Sequence, residues 1–568
     1  MSAVFRARDF DAAAARRLAQ EGVPAPLARA LAARGILQAA DLRLAPRQMH
    51  PPESMAQLAL AGRLLADAIE RQRRLLIVAD YDCDGATACA VGIRGLRAMG
   101  ARVDYLVPNR FEYGYGLTPE LVDLAARQGP DMIITVDNGI ASIEGVARAR
   151  ALGIDVLITD HHLPAERLPD AAAIVNPNQR GCEFPSKNLA GVGVMFYVLL
   201  QLRSELRSRG RFDESNQPRL DGLLDLVALG TVADLVPLDR NNRILVQGGL
   251  ERIRRGAAQP GIAALLQVAG REARTVRASD LGFALGPRIN AAGRLADMTQ
   301  GIECLLSDNE DHARHLARTL DDLNHERRQI EAGMQADAEV DLVAAELDGA
   351  ALAQQRTITM FREGWHQGVI GLIAGRIKER HHRPTIVFAR ADAQWLRGSG
   401  RSIEGVHLRD TLDLVTKAAP GLIARFGGHA MAAGLTIAHE NLAEFTVAFE
   451  AAARGSTDAA LYTRVLATDG SLAPGEITSA LVQSTEEIVW GQGFPQPVFA
   501  NEFDVLEQRI VKGSHLKLTV ALNGQRWPAI WFRRAQAVPD RALLAYRPTI
   551  DSYRGERHLA LMVEQLGQ

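Results

Sequence analysis

Three carboxylates stand at alternate positions in the stretch Leu75 to Gly85, LLIVADYDCDG: Asp80, Asp82 and Asp84. Held that closely they repel one another unless a cation lies between them, and a divalent metal is the simplest one. The alternative is a solvated polar turn, and this stretch alone leaves the two level. The pattern recurs, however. Met132 to Gly139, MIITVDNG, is a second apolar run ending in an acid, Asp137. Val156 to His162, VLITDHH, is a third, ending in Asp160, His161 and His162. Carboxylates with an imidazole suit Mn²⁺ or Mg²⁺, whereas sulfur-rich sets suit zinc.

The elements that must position these groups follow from the same runs. Each run is short and apolar and is followed by glycine or acids, which favours a buried strand over a helix. Segments with helical character separate them, as in Ala86 to Met99. Val103–Val107, 132–136, 155–159 and Ala173–Val175 read as further strands. This βαβ alternation predicts a doubly wound parallel sheet, whose carboxyl edge is where ligands bind. The loop PNRFEYGYGLTPE, Pro108 to Glu120, carries three aromatics and Arg110 just past a strand end. Asp221 to Leu238 is an apolar helical stretch ending in Asp234, either a polar helix end or a further ligand; spacing leaves that open. In GPRINAAGRL, Gly286 to Leu295, the residues Arg288, Asn290 and Arg294 lie among small side chains. They form either a fork for phosphate or a helix turn with surface arginines.

Asp308 to Leu347 is long, charged and free of proline. As one helix its ~40 residues would span about 60 Å, the length of a connector between domains. A second α/β domain follows. Its marked stretches are GWHQGVIGLIAGRI (Gly364 to Ile377), RGSGRS (Arg397 to Ser402) and RFGGHAMAAG (Arg425 to Gly434). The first runs a glycine-containing loop into a helix start, where free N–H groups favour anions. Ser399, Arg401 and His429 could hold a terminal phosphate; the glycines read as close packing. In the last hundred residues Val498–Val511, His515–Leu522 and Arg526–Arg533 read as strands of a small barrel of OB type, with Leu516, Leu518 and Val520 on one face and His515, Lys517 and Thr519 on the other. Trp527, Trp531 and Phe532 could stack on bases, but apolar core is the expected fate of each.

The boundaries expected are a helical lead-in over 1–50, a catalytic domain over 51–305, the connector over 306–349, the second α/β domain over 350–455 and the barrel over 460–568. A chain of 568 residues accommodates this number of domains, and 47% apolar content fills their cores. A net charge of −2 gives no global basic field, so a polyanion site has to be a local channel. Four cysteines without a C-x-x-C pair point to a reducing compartment, and Cys83 reads as a small buried filler. No apolar leader or membrane-length run appears, so a cytoplasmic location without membrane contact is expected.

ADYDCDG, PNRFEYGYG, DNG, DHH and GTVADL, in this order and followed by GWHQGVIG and FGGHAMAAG, resemble the DHH phosphoesterase superfamily with its DHHA1 domain, and within it the single-strand-specific exonucleases. The resemblance covers the chain after the lead-in. It implies that Asp82, Asp84, Asp137, His161 and Asp234 ligate two divalent ions, Mn²⁺ or Mg²⁺, with Asp137 bridging. Manganese pyrophosphatases of the superfamily carry a ligand His four residues before the position of Asp82. Val78 stands there in this chain, and Asp80 is the substitute. It further implies that His162, with Asp160 and Arg288, serves catalysis, and that Arg110, Arg288, Asn290, Ser399, Arg401 and His429 hold DNA phosphates. The implied function is 5′-to-3′ hydrolysis of single-stranded DNA to 5′-mononucleotides by two-metal catalysis, in repair and recombination. Single-strand binding protein and a RecQ-type helicase are implied as partners. Two other functions stand beside it: a phosphodiesterase for oligonucleotides or cyclic dinucleotides, and a strand-binding scaffold without catalysis.

Overall fold

The computed structural model describes residues 2–109, 113–344, 354–553 and 556–568. They group into two units: 40–325 with 488–496, and 1–39 with 326–487 and 497–568.

The first unit is built on the expected all-parallel sheet. Its strands lie in the order Arg102–Leu106, Arg74–Ala79, Met132–Val136, Asp155–Thr159, Ala173–Val175. The chain leaves its first strand for one edge and then returns to the other side, so the strand order reverses between Arg74–Ala79 and Met132–Val136. That reversal opens a crevice at the carboxyl edge. The register there sets the chemistry. Ala79 pairs with Val136, and Val136 with Thr159. The residues that follow the three strands, Asp80, Asp137 and Asp160, therefore stand side by side in a row. Strand interiors are buried on both faces, as the continuous apolar runs require. Cys83–Ala98, Gly191–Ser208 and Leu224–Ala233 are the helices packed around this edge. The helix after the first strand begins at Cys83, three residues earlier than its sequence indicates, because Asp82 caps it and accepts the Gly85 N–H at 3.0 Å.

The second unit holds a five-stranded mixed sheet in the order Arg425–Gly428, Ala432–Ala438, Trp395–Arg401, Thr385–Arg390, Ile358–Phe361. Its barrel is closed, in the order Phe499–Val511, His515–Leu522, Gln525–Trp531, Glu556–Leu566, Arg541–Tyr553. The last two of these strands are not among those read from the sequence. Leu516, Leu518 and Val520 face the barrel core as expected, and Trp527 and Trp531 are buried there too, while Phe532 is exposed.

The lead-in is a correction. It is not helical throughout: Val4–Ala7 is a strand, paired in parallel with Val465–Thr468. Its partner lies more than four hundred residues away in the chain, so no local pattern announces it. The charged connector is a single helix over Glu310–Ala344, as expected.

Candidate metal centre

Each group at the edge of the parallel sheet is held by a specific local device. Asp137 follows directly on its strand with a left-handed backbone, φ +63°. Aspartate tolerates that region better than most residues, and it turns the carboxylate back into the crevice. The turn is fixed by side chains: Thr135 Oγ1 donates to Asn138 O at 2.7 Å, and Asn138 Nδ2 donates to Val136 O at 3.0 Å. Asp84 is fully buried. Its two oxygens accept the N–H groups of Gly191 and Val192, at 2.6 and 2.9 Å, at the start of the helix Gly191–Ser208. Gly191 has to be glycine, because a Cβ there would lie 2.6 Å from the Asp137 Cβ. Gly230 is needed likewise, since a Cβ would lie 2.1 Å from Thr87 Oγ1 and 2.9 Å from Asp84 Oδ1.

The ligand atoms converge. Asp80, Asp82 and Asp137 form one group with all ligand atoms within 4.8 Å of one another; Asp84, His161 and Asp234 form a second; Asp137, His161 and His162 form a third. Asp137 and His161 each belong to two of these groups, the geometry a bridging position requires. His161 Nε2 lies 3.0 Å from Asp137 Oδ1 and 3.5 Å from Asp234 Oδ2. Burial, then repulsion from His162, pull the His161 imidazole down to about 4, so it is neutral at pH 7 and offers a lone pair. Burial and the charge of Asp82 push the Asp84 carboxyl up to about 7. Asp137 and Asp234 are driven well above the usual range by burial and by the neighbouring acids. Among the described residues, Asp137 Oδ1 and His161 Nε2 are buried without a hydrogen-bond partner although they face each other. With Asp137 ionised, a buried acceptor faces a buried lone pair, which is unfavourable alone and fitting around a cation. The residues therefore fit Mn²⁺ or Mg²⁺.

Asp160 stands in the same row, and its oxygens are taken up by hydrogen bonds. Its Oδ2 accepts the Ile140 N–H at 2.9 Å, and its Oδ1 accepts the His161 and His162 N–H groups at 2.7 and 3.1 Å. Oδ1 also lies 2.8 Å from His162 Nδ1. These contacts are those of a residue that orients the His162 ring. Burial opposes a charge on His162, but the bond to Asp160 and the charges of Asp160 and Asp80 outweigh it and raise the imidazole. Asp160→Asn should therefore lower turnover by roughly 10–100-fold, the usual cost of a lost supporting partner. Steady-state kinetics alongside a thermal melt check this; turnover that stays level would contradict it.

Arg288 and Asn290 flank the same edge. Asn290 Oδ1 accepts the Cys83 N–H at 2.8 Å and so braces the Asp82–Asp84 turn. Arg288 is neither a surface arginine nor an open fork. It is buried, donates to Ala284 O at 2.6 Å and is ion-paired with Asp321 of the long helix at 2.8 Å. Arg110 lies outside the described residues. Cys83 is buried, as expected.

In the second unit, Ser399 and Arg401 point to one side of the strand Trp395–Arg401. Arg401 Nη1 lies 3.2 Å from Ser399 Oγ. Both press on the first turn of the helix Ile370–His381: a Cβ on Gly371 would lie 2.9 Å from Ser399 Oγ and 3.0 Å from Arg401 Nη2. His429 is exposed, in the turn before Ala432–Ala438, and Ala432 pairs with Arg401.

Several participants are invisible in the sequence. Tyr115 Oη lies 3.2 Å from both the Asp137 carbonyl and His162 Nδ1, and its ring meets those of Tyr81 and His162 edge-on. Only its place in the aromatic loop hinted at it. Asn178 and Asn176 donate to the carbonyls of His161 and His162 at 2.6 and 2.9 Å, and no spacing signals them.

Known proteins carry the same architecture. Family models match residues 74–231 (DHH family, N-terminal domain), 353–455 (DHHA1 domain) and 468–565 (RecJ OB domain). The single-stranded-DNA-specific exonuclease RecJ of Salmonella typhimurium is 47% identical over 555 residues, 96% of each chain. The chain belongs to the RecJ family. A crystal structure of RecJ in complex with Mn²⁺ from Thermus thermophilus superposes with a TM-score of 0.83 at 27% identity, covering 100% of this chain and 79% of that one. RecJ in complex with Mg²⁺ from the same organism gives 0.77 at 26%, covering 100% and 78%. The RecJ architecture is thus two α/β domains joined by a long helix, with a terminal OB barrel. No helix among the described residues is long and apolar enough to cross a membrane.

Proposed function

We propose that this chain is a single-stranded-DNA-specific exonuclease that hydrolyses terminal phosphodiesters from the 5′ end and releases 5′-mononucleotides. The observation that carries the reading is the convergence of Asp80, Asp82, Asp84, Asp137, His161 and Asp234 into overlapping ligand groups. It is supported by 47% identity, over nearly the whole length, to a protein named as a single-stranded-DNA-specific exonuclease. Two divalent ions, Mn²⁺ or Mg²⁺, would be held by these residues, with Asp137 shared. When bound, such ions supply a water activated near neutral pH and neutralise charge on the phosphodiester.

The chain's own residues do the rest. Asp84 is locked by two backbone N–H groups and cannot swing away. His161 is kept neutral by burial, so its lone pair is available without prior loss of a proton. His162 is held by Asp160 and Tyr115, and the neighbouring acids raise its imidazole; when protonated it can donate a hydrogen bond to a phosphate oxygen in the crevice. Asn290 keeps the acidic turn in shape, and Arg288, tied to Asp321, steadies the wall beside it.

Polarity requires a pocket for the 5′ end. Ser399 and Arg401, packed on the first turn of the helix Ile370–His381, together offer a hydroxyl and a guanidinium, donors a terminal phosphate needs. His429 stands at the next strand's turn. Arg401→Ala is expected to cut the preference for a 5′-phosphorylated strand by roughly tenfold, as loss of one charge-assisted hydrogen bond would. Competition between phosphorylated and unphosphorylated strands measures it; an unchanged preference would refute the pocket. Arg110 is assigned to DNA phosphate on the family resemblance and on its place in the sequence beyond the strand Arg102–Leu106. A cytoplasmic enzyme working with single-strand binding protein and a RecQ-type helicase fits this role in repair and recombination.

The test of the function is a time course on an end-labelled single strand with and without Mn²⁺. Metal-dependent release of mononucleotides from the 5′ end is expected. Binding without release would favour the scaffold, and preference for a dinucleotide the oligonucleotide phosphodiesterase.

A further inference from the structure

The segment Ile488–Gln496 belongs to the unit of the metal centre although the rest of its neighbourhood in the chain does not. It is a short hairpin: Gly491 and Phe494 exchange backbone hydrogen bonds at 3.0 and 3.1 Å. Its outer edge lies on the loop that follows Asp234. Gln492 O accepts the Leu238 N–H at 2.7 Å. A Cβ on Gly491 would meet Leu238 Cδ1 at 2.5 Å, and one on Gly493, itself at φ +70°, would meet Pro237 Cβ at 2.9 Å. Gly491 thus leaves room for the Leu238 side chain, and Gly493 lets the hairpin lie against Pro237. The hairpin is anchored from the other side by Phe494, whose ring is covered by the Arg243 guanidinium at 4.0 Å and stacked on Trp490 at 5.1 Å. Phe494 and Arg243 are both buried.

The loop it touches needs outside support. Asp234 caps the end of its helix, its N–H donating to Gly230 O at 3.0 Å. The next residue, Leu235, is exposed and left-handed at φ +61°, a conformation leucine adopts only when its surroundings impose it. From there the chain is fixed again at Pro237, whose carbonyl accepts from Asn242 Nδ2 at 3.0 Å, and at Leu238, through the hairpin.

We infer that the Gly491–Phe494 hairpin is a positioning device for the metal: it pins Pro237 and Leu238 and thereby holds the Asp234 carboxylate toward its ion. This rests on the reading of Asp234 as a ligand. Supporting contacts of this kind typically govern metal affinity by 10–100-fold.

The test measures Mn²⁺ binding to the full-length protein, by the electron paramagnetic resonance signal of free Mn²⁺, with circular dichroism as a check on folding. Phe494→Ala should weaken Mn²⁺ binding by roughly tenfold or more, and Phe494→Tyr, which keeps a ring under Arg243, should restore it. Gly493→Ala, which forces the hairpin off Pro237, should weaken it likewise and decides the matter if Phe494→Ala fails to fold. Asp234→Ala serves as reference. If it leaves Mn²⁺ binding intact, the ligand reading fails. If it weakens binding while folded Phe494→Ala and Gly493→Ala bind as wild type, the hairpin inference is overturned.

Discussion

Asp137→Asn should abolish strand hydrolysis, with a loss on the order of 10³-fold or more, about 4 kcal/mol of barrier. Asparagine keeps the shape of the side chain and tolerates the left-handed backbone at φ +63°, so the fold survives the change. What disappears is the charge shared between two ligand groups. The same substitution should raise the melting temperature of chelated protein, because it removes one of several buried carboxylates that repel each other. Loss of activity with a gain in metal-free stability is the signature of a functional charge. A variant that melts lower and stays partly active would mark Asp137 as structural.

The second large effect is on stability as a function of pH and metal. In chelator, burial and the charge of Asp82 push the native Asp84 carboxyl up to about 7, and burial with the neighbouring acids raises Asp137 and Asp234 well above the usual range. In the unfolded chain each titrates at about 3.9. Between those values the native protein holds protons that the unfolded chain has released, so stability from these groups is full below about pH 4 and is lost as pH rises to 7 and beyond. Divalent ions replace those protons, and their affinity grows as the carboxylates ionise. The gap between the melting temperatures of Mn²⁺-loaded and chelated protein should therefore widen steadily from pH 5 to pH 8. At a hundredfold excess over the dissociation constant, one ion is worth about 2.7 kcal/mol. A gap that stays constant over this range would mean that the cluster does not exchange protons for metal.

Much of this arrangement is legible in the sequence, for a physical reason. A buried parallel strand needs an uninterrupted apolar run, so the points where the runs stop at Asp80, Asp137 and Asp160 mark the carboxyl edge directly. Residue type then separates carboxylates and imidazole from bystanders such as Cys83. The register is not legible. That Ala79, Val136 and Thr159 stand abreast depends on pairing among distant segments, and with it the fact that Asp160 bonds to His162 and the Ile140 amide. Arg288 shows the same limit. Its sequence among small residues fits a phosphate fork or a surface turn, and its partner, Asp321, sits on another helix. The strand Val4–Ala7 and the two closing strands of the barrel escape a reading of the sequence because their partners, not their own composition, make them strands. The role of Tyr115 depends on where a loop closes, which alternation and spacing do not encode.

The most direct test is anomalous scattering at the manganese edge from crystals grown with Mn²⁺. The account predicts two peaks about 3.5–4 Å apart, both within ligand distance of Asp137, one shared with Asp80 and Asp82 and the other with Asp84, His161 and Asp234. No peak within reach of Asp137 and His161 in active protein would contradict it.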